Sequence, residues 1–301
     1  DVERSRGLGD VYKRQPPLHA PDDAGGPTVA QALREAAMAG LDRLDAQLLL
    51  LWVLGRMHDR AWLISHDRDI LPAAARAAYA GLWLRRAQGE PLAYLVGSKD
   101  FYGLDLQVDG RVLIPRPDTE ILVEWALDAV RPCTAPRLID LGTGSGAIAL
   151  ALRQQRPDAE VHALDASADA LAVARANAGR LGLPVTFWQG HWLAGHTGRG
   201  YDLVVSNPPY IAEDDSHLPA LAFEPRQALT AGTDGLDDIR QIVEQARAVL
   251  RPGGWLLLEH GYDQAAAVRA LLADAGYADI ESRRDLASIE RCSGGLFPGA
   301  R

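Results

Sequence analysis

Hydrophobic positions along most of the chain alternate between strand-like and helical spacing. Short apolar runs predict strands at residues 137–141, 160–164, 184–188, 202–206, 254–259 and 277–283. Amphipathic stretches between them predict helices at residues 146–154, 168–181, 236–250 and 263–275. Such alternation is typical of an α/β fold in which helices cover both faces of a doubly wound, mostly parallel sheet.

Before this region the spacing is helical. Thr28 is suited to an N-cap position, and Val29, Leu33 and Ala36 after it share one helical face. Further amphipathic stretches follow, and we therefore expect residues 28–93 to form a small N-terminal helical domain.

Residues 94–117 change to short alternating runs at 100–104 and 106–108, separated by turn residues. This pattern predicts a β-hairpin that links the two domains. The second domain is expected to span residues 118–301 and to begin with an amphipathic helix at residues 118–129.

Residues 1–27 show little periodicity and contain several prolines and glycines. They are expected to form a disordered or non-native leader, since residues 1–15 also resemble translated adapter sequence.

Charge and cysteine content restrict the class of protein. The chain has 31 basic and 40 acidic residues, a net charge of -9, which gives no overall electrostatic footprint for DNA. Cys133 and Cys292 are too few for a disulfide framework and form no CxxC pair, as expected for a cytoplasmic protein. No apolar run reaches membrane-spanning length, and the histidines lack the spacing of a metal site, so we expect neither a membrane partner nor a metal.

A glycine-rich turn follows the first predicted strand, at the edge of the sheet where ligands bind in such folds. The turn consists of Gly142, Thr143, Gly144, Ser145 and Gly146. Read through Ala147, it also matches the dinucleotide-binding pattern GxGxx(G/A). Asp165 lies at a suitable distance to bind ribose hydroxyls with either ligand. The turn alone therefore leaves a dinucleotide and S-adenosylmethionine as alternatives.

Two further features favour S-adenosylmethionine. Asp140 lies two residues before the first glycine, where a carboxylate suits an amino acid tail and a sulfonium cation but would repel a pyrophosphate. The strand at 202–206 is followed by the tetrapeptide Asn207, Pro208, Pro209 and Tyr210. Both features fit an enzyme that methylates a planar nitrogen.

The chemistry expected of the tetrapeptide follows from its acceptors. Asn207 Oδ1 and the Pro208 carbonyl would accept the two N–H bonds of a substrate amide and direct its nitrogen at the methyl group. They would also stabilise positive charge that develops on the nitrogen. Tyr210 would cover the flat amide and exclude water. We expect that no general base is required before methyl transfer.

Five segments of the sequence resemble one enzyme family, the release-factor glutamine N5-methyltransferases (PrmC/HemK). The segments are DLGTGSGAIALAL, SNPPYI, FEPRQAL, LLLEHG and LIPRPDTE. The resemblance extends over residues 28–294. It implies a seven-stranded Rossmann-like methyltransferase sheet, with the N-terminal helical domain serving substrate recognition. It also implies a monomeric enzyme that uses S-adenosylmethionine to methylate the glutamine of the Gly-Gly-Gln motif in bacterial peptide chain release factors 1 and 2, which tunes translation termination.

The resemblance also assigns roles to single positions. Residues 142–146 match the cofactor loop of the family, Asp165 its ribose-binding acid, and residues 207–210 its clamp for the substrate amide, with Asn207 also adjacent to the cofactor. Trp192 matches an aromatic residue that flanks the adenine. The preceding position departs from the family, because His191 stands where aspartate is usual.

Other functions remain open on the residues alone. A ribosomal-protein glutamine N5-methyltransferase would share the tetrapeptide and the glycine turn, whereas a DNA adenine N6-methyltransferase would need a basic cleft. A nonenzymatic cofactor-binding protein would have no use for the amide clamp.

Several residues also have structural alternatives. Asp165 would cap a helix that begins near Ser167. Arg116 and Glu120 would form an exposed pair one turn apart that orders the hairpin. Glu224 either shapes the substrate entrance or serves structure only, and His260 is expected to be a hydrogen-bonded core residue.

Overall fold

The computed structural model describes residues 25–196 and 200–299. These residues form two compact units that divide between Val96 and Gly97. Residues 1–24, most of the expected leader, lie outside the described residues. No helix in the described ranges is long and apolar enough to cross a lipid bilayer.

The smaller unit is helical, as the sequence predicted. Its helices are α1 (Val29–Met38), α2 (Arg43–Val53), α3 (Trp62–Ser65), α4 (Ala73–Ala87) and α5 (Leu92–Val96). Thr28 is the N-cap of α1 and forms a capping box with Gln31, in which each side chain accepts a hydrogen bond from the backbone N–H of the other residue, at 3.2 and 2.7 Å. In the core of this unit the buried Tyr79 hydroxyl donates to the Ala46 carbonyl at 3.1 Å, so the ring is packed without an unsatisfied polar atom.

The larger unit contains a short hairpin and a seven-stranded sheet. The hairpin pairs β1 (Ser98–Phe101) with β2 (Leu104–Gln107). The sheet strands are β3 (Arg137–Leu141), β4 (Glu160–Asp165), β5 (Thr186–Gln189), β6 (Tyr201–Ser206), β7 (Leu250–Glu259), β8 (Ala278–Arg284) and β9 (Glu290–Phe297). The helices are α6 (Glu120–Ala129), α7 (Ala147–Gln155), α8 (Ala168–Leu181), α9 (Asp237–Ala246) and α10 (Ala265–Asp274).

The strand order is β5-β4-β3-β6-β7-β9-β8, and β9 pairs antiparallel with both β7 and β8, whereas the other pairs are parallel. This order confirms the predicted doubly wound, mostly parallel sheet. The order reverses between β3 and β6, so the loops that follow β3, β4 and β6 leave the same edge around one crevice.

Both faces of the sheet are covered. Leu138 of β3 packs into one core cluster with Trp125 of α6, and the adjacent Ile139 packs into a second cluster with Ile242 of α9. Neighbouring residues of a strand point to opposite faces. A strand buried on both faces is hydrophobic at most positions, which explains why Leu138, Ile139 and Leu141 predicted β3 although Asp140 lies among them.

The hydrophobic pattern located six strands and missed β9. Gly294 and Gly295 interrupt this strand and weaken its sequence signal. The packing requires a residue without a side chain there, because a Cβ on Gly294 would lie 2.5 Å from Leu257 Cδ2 of the neighbouring β7. The seven strands implied by the family resemblance are present.

The hairpin turns earlier than expected. The predicted run at 100–104 is interrupted by a two-residue turn at Tyr102 and Gly103, whose φ angles are +48° and +76°. Two positive φ values are typical of the turn that matches the twist of paired strands. Tyrosine is rare in that conformation, so Tyr102 does not identify the turn from its residue type.

This hairpin packs within the larger unit. Phe101 and Leu106 belong to the same core cluster as Leu138. The Asn177 side chain of α8 bonds both backbone groups of Gln107, accepting from its N–H at 2.8 Å and donating to its carbonyl at 3.0 Å. The buried amide is satisfied by these contacts, which fix β2 against α8.

Candidate active site

The glycine-rich turn connects β3 to α7 and lies close to an aromatic ring. Gly142 has a φ of +69°, and a Cβ there would lie 3.2 Å from Trp192 Cζ3. Glycine is therefore required both by the backbone and by the contact. The N–H groups of Gly142 and Thr143 donate to the Leu164 carbonyl at 2.9 and 3.0 Å, which fixes the turn to the end of β4.

Asp140 lies beneath this turn and is 1% exposed. Its Oδ2 accepts from Thr143 Oγ1 at 2.6 Å and from the Ala149 N–H at 3.3 Å, so it ties the turn to α7. Its Oδ1 is buried without a hydrogen-bond partner among the described residues. Burial raises the pKa of Asp140 to about 7.

Asp165 ends β4 and uses both carboxylate oxygens. Oδ2 accepts from the Gly144 N–H at 2.9 Å, and Oδ1 accepts from the Ser167 N–H at 2.8 Å. Ser167 itself is the N-cap of α8, with its Oγ accepting from the Ala170 N–H at 3.1 Å. The suggestion that Asp165 is the helix cap is therefore wrong. Burial raises the pKa of the Asp165 carboxyl.

Trp192 and its neighbours form another part of the crevice. Trp192 is 8% exposed, has a φ of +48°, and donates from Nε1 to Asp238 Oδ1 at 2.9 Å. Burial raises the pKa of Asp238. His191 is exposed, and its ring meets Trp192 edge-on at 5.8 Å between centroids. Sequence reasoning missed Asp238, for which the acidic start of α9 is only a weak signal.

The tetrapeptide follows β6 and is held by its backbone. Gln264 Nε2 donates to the Tyr210 carbonyl at 3.0 Å. Gly235 passes so close that a Cβ there would lie 2.1 Å from the same oxygen. The Asn207 amide donates from Nδ2 to Thr119 Oγ1 at 3.2 Å, which leaves Oδ1 as the acceptor on its other side.

These parts surround one cavity of about 310 Å³ in the larger unit. Of the residues expected from the sequence, its wall includes Gly142, Gly144, Asp165, Trp192, Asn207 and Pro209. The others are in or beneath the same loops but are not part of the wall, namely Asp140, Thr143, Ser145, Gly146, Pro208 and Tyr210. His191 and Asp238 also face the cavity.

Comparisons with known proteins match both units. A family model described as the methyltransferase small domain matches residues 117–266, and one described as the PrmC N-terminal domain matches residues 28–97. A release factor glutamine methyltransferase of Burkholderia pseudomallei is 53% identical over 281 residues, covering 90% of this chain and 97% of that protein. A protein of the same name from Bordetella pertussis is 52% identical over 261 residues, covering 86% and 96%.

The chain belongs to the release factor glutamine methyltransferase family. The resemblance inferred from the sequence is confirmed. A solved methyltransferase of Pyrococcus furiosus has a TM-score of 0.50 at 17% identity and covers 73% of this chain and 100% of its own; this similarity shows the fold alone.

In this member of the release factor glutamine methyltransferase family, an ion pair connects two of the recognised segments. Arg116 Nη2 donates to Glu224 Oε1, and Glu224 Oε2 accepts from the Ile114 N–H at 3.1 Å. Glu120 instead accepts from the Tyr102 N–H at 2.9 Å. The expected pair of Arg116 with Glu120 is therefore wrong, although Glu120 does order the hairpin. Glu224 is buried and fixes the segment that precedes the cavity wall at Pro225.

The end of β7 contributes two buried polar residues. His260 is fully buried, with Nε2 bonded to Ser293 Oγ at 2.8 Å and Nδ1 to the Gly261 carbonyl at 2.9 Å. This confirms the expected core histidine. The adjacent Glu259 is 2% exposed and was not assigned a role from the sequence. Across the described ranges, no group of three or more His, Cys, Asp or Glu residues is arranged to hold a metal ion.

Proposed function

We propose that this chain transfers a methyl group from S-adenosylmethionine to the side-chain amide nitrogen N5 of glutamine in the Gly-Gly-Gln motif of bacterial peptide chain release factors 1 and 2. Such methylation would tune translation termination. The observation that carries the proposal is the position of Asn207 and Pro209, which face the same cavity as the glycine-rich turn in a member of this family.

The residues around the cavity fit this cofactor. S-adenosylmethionine supplies a methyl group on a sulfonium sulfur, which is already an activated electrophile. Asp165 ends β4 on the cavity wall, where its carboxylate would accept from ribose hydroxyls. Trp192 offers an apolar face for the adenine, and the glycine turn leaves room for close approach of the ligand.

Asp140 supports the same cofactor from beneath the turn. Its Oδ1 is a buried acceptor with no partner in the described part of the chain, and a positively charged ligand nearby would offset the cost of ionising the carboxyl group. Thr143, Ser145 and Gly146 complete the turn that shapes this side of the cavity.

The chain contributes to the reaction mainly through positioning. Asn207 Oδ1 and the Pro208 carbonyl would accept both N–H bonds of the glutamine amide and hold its nitrogen toward the methyl group. An amide nitrogen is a poor nucleophile because its lone pair is delocalised, and these fixed acceptors favour the positive charge that develops on it. Tyr210 would exclude water from the amide. The nitrogen loses one proton once it carries the methyl group, so no base is needed earlier.

The remaining roles belong to whole segments. The helical unit, residues 28–93, would recognise the release factor, residues 94–117 would link it to the catalytic part, and residues 118–301 would bind cofactor and glutamine. We infer a cytoplasmic enzyme that acts as a monomer, without a DNA or membrane partner.

Labelled S-adenosylmethionine tests the proposal. The chain is incubated separately with a release factor, with ribosomal protein and with DNA, and label is expected only in the release factor. A release factor with the Gly-Gly-Gln glutamine replaced by alanine is the matched control and should remain unlabelled. Label in ribosomal protein or DNA alone would refute the proposal.

A further inference from the structure

A buried carboxylate lies behind the asparagine that we propose as the amide clamp. Glu259 ends β7, and Asn207 follows β6, the parallel neighbour of that strand. Because Ser206 is paired with Leu258, the next residues of the two strands lie side by side. Glu259 is 2% exposed, and its Oε1 accepts from the Tyr210 hydroxyl at 3.5 Å.

The second oxygen of Glu259 also lies inside the protein. Its Oε2 is buried without a partner in ordinary hydrogen-bond geometry among the described residues. Hydrogen bonding from the side chains of Thr119 and Asn207 nevertheless acts to lower the pKa of Glu259. Thr119 is 4% exposed and accepts from Asn207 Nδ2 at 3.2 Å.

This arrangement determines which way the Asn207 amide turns. An ionised carboxylate offers acceptors only, so the side of the amide that faces Glu259 must be the NH₂ group. The Thr119 hydroxyl can donate to Glu259 while its oxygen accepts from Nδ2. Asn207 Oδ1 is then left on the opposite side, and Asn207 lines the cavity.

We propose that Glu259 is a positioning residue, which with Thr119 fixes the orientation of the Asn207 amide so that Oδ1 faces the substrate glutamine. The inference rests on the proposed methyl transfer, because an acceptor is required at that position only if an amide N–H is bound there. A buried carboxylate is costly to folding, and an apolar residue of similar size would serve packing alone.

The charge state of Glu259 should affect the reaction. Its pKa is raised to about 7, mainly by burial; the charge of Asp118 also acts to raise the pKa, and that of Arg291 on β9 acts to lower it. Tyr210 also faces the carboxylate, as does the buried Cys292 of β9. A protonated Glu259 can donate, so it no longer requires the NH₂ group of Asn207 to face inward. Turnover should therefore fall as the pH falls through about 7.

The test compares Glu259→Gln and Thr119→Val with the wild-type enzyme. Both variants nearly preserve side-chain volume. We expect kcat to fall about tenfold or more in each at a pH where the wild-type carboxylate is ionised, while the Kd for S-adenosylmethionine changes less than about twofold. The inflection of kcat near pH 7 should disappear in Glu259→Gln. Asp202→Asn is the matched control, a carboxylate at the opposite end of β6 that pairs with Arg251, and it should retain the wild-type pH profile.

The outcomes separate the two proposals. If the wild-type enzyme is active and both variants keep its kcat and its pH inflection, the positioning role alone is overturned. If the variants instead lose cofactor affinity and melting temperature together with kcat, and the pH inflection is retained, Glu259 has a structural role only. That result would also overturn the positioning role. A wild-type enzyme that leaves release factors unmethylated would overturn the proposed function and this inference together.

Discussion

Replacing Asp140 by asparagine should make the stability of the larger unit less dependent on pH. The carboxyl group is 1% exposed, and burial raises its pKa from 3.8 to about 7. Between these values the native state binds a proton that the unfolded chain releases. The contribution of Asp140 to the free energy of unfolding should therefore be greatest below about pH 4 and should decrease until the pH passes about 7.

The shift of the pKa sets the size of the effect. The pKa of Asp140 rises from 3.8 to about 7 on folding. At about 1.4 kcal/mol for each step of one in pKa, the free energy of unfolding is lowered by on the order of 4 kcal/mol once Asp140 is fully ionised. Most of this, about 2 to 3 kcal/mol, should appear between about pH 5 and about pH 7. In Asp140→Asn the amide oxygen can still accept from Thr143 and Ala149, but its NH₂ group replaces an atom with no described partner. That unsatisfied donor costs about 1 to 3 kcal/mol, so the variant should be modestly more stable than the wild type above about pH 7.

Urea denaturation, followed by tryptophan fluorescence and circular dichroism without cofactor, measures this effect at several pH values. Asp158→Asn is the control, because Asp158 is exposed and its hydrogen bond with Arg156 lowers its pKa. That carboxylate stabilises the fold above its unfolded pKa, and the contribution is lost only in acid. The control should thus retain the wild-type decline between about pH 5 and about pH 7. An equally steep decline in Asp140→Asn would refute the reasoning.

Three further substitutions test the site. Asn207→Ala should lower kcat about a hundredfold while calorimetric titration gives an unchanged Kd for S-adenosylmethionine; a weaker Kd with normal kcat would contradict the clamp. Asp165→Ala should raise the Kd for S-adenosylmethionine about 10- to 100-fold, because it removes the acceptor for the ribose and for the N–H groups of Gly144 and Ser167. An unaltered Kd would argue against the ribose contact. Gly235→Ala should lower both melting temperature and kcat, since its Cβ would lie 2.1 Å from the Tyr210 carbonyl oxygen. Gly276→Ala is its control, with a φ of +82° but nothing within 4 Å of the added carbon, and equal kcat losses in the two variants would show that the displaced carbonyl is not the cause.

The regular elements of the fold could be predicted because each has a local sequence signal. β3 carries the apolar residues Leu138, Ile139 and Leu141 around the buried Asp140, and α1 begins with a capping residue that forms the expected contact. β9 could not be located from its own residues, because its glycines are explained only by the closeness of β7. The turn at Tyr102 was missed for a related reason, since tyrosine is rare at a positive φ and the Glu120 carboxylate that accepts from its N–H lies 18 positions away.

The candidate site was predictable where its residues follow strands directly. The glycine turn and the tetrapeptide could be assigned to one edge of the sheet because parallel strands end there together. The partners of these residues could not be predicted. Arg116 pairs with Glu224 across 108 positions, and Trp192 bonds Asp238 across 46 positions. Such pairs form only when the sheet is folded, so the local pattern of hydrophobic residues does not predict them.

The ion pair of Arg116 with Glu224 has a consequence for exchanging sequence between relatives. The Glu224 carboxylate accepts from both the Arg116 side chain and the Ile114 N–H. It therefore joins residues 223–229 to residues 113–120. Transplanting either segment alone from a relative with a different pair would bury an uncompensated charge beside the cavity. Chimeric enzymes should therefore tolerate the two segments as a matched set and lose solubility or activity when they come from different parents.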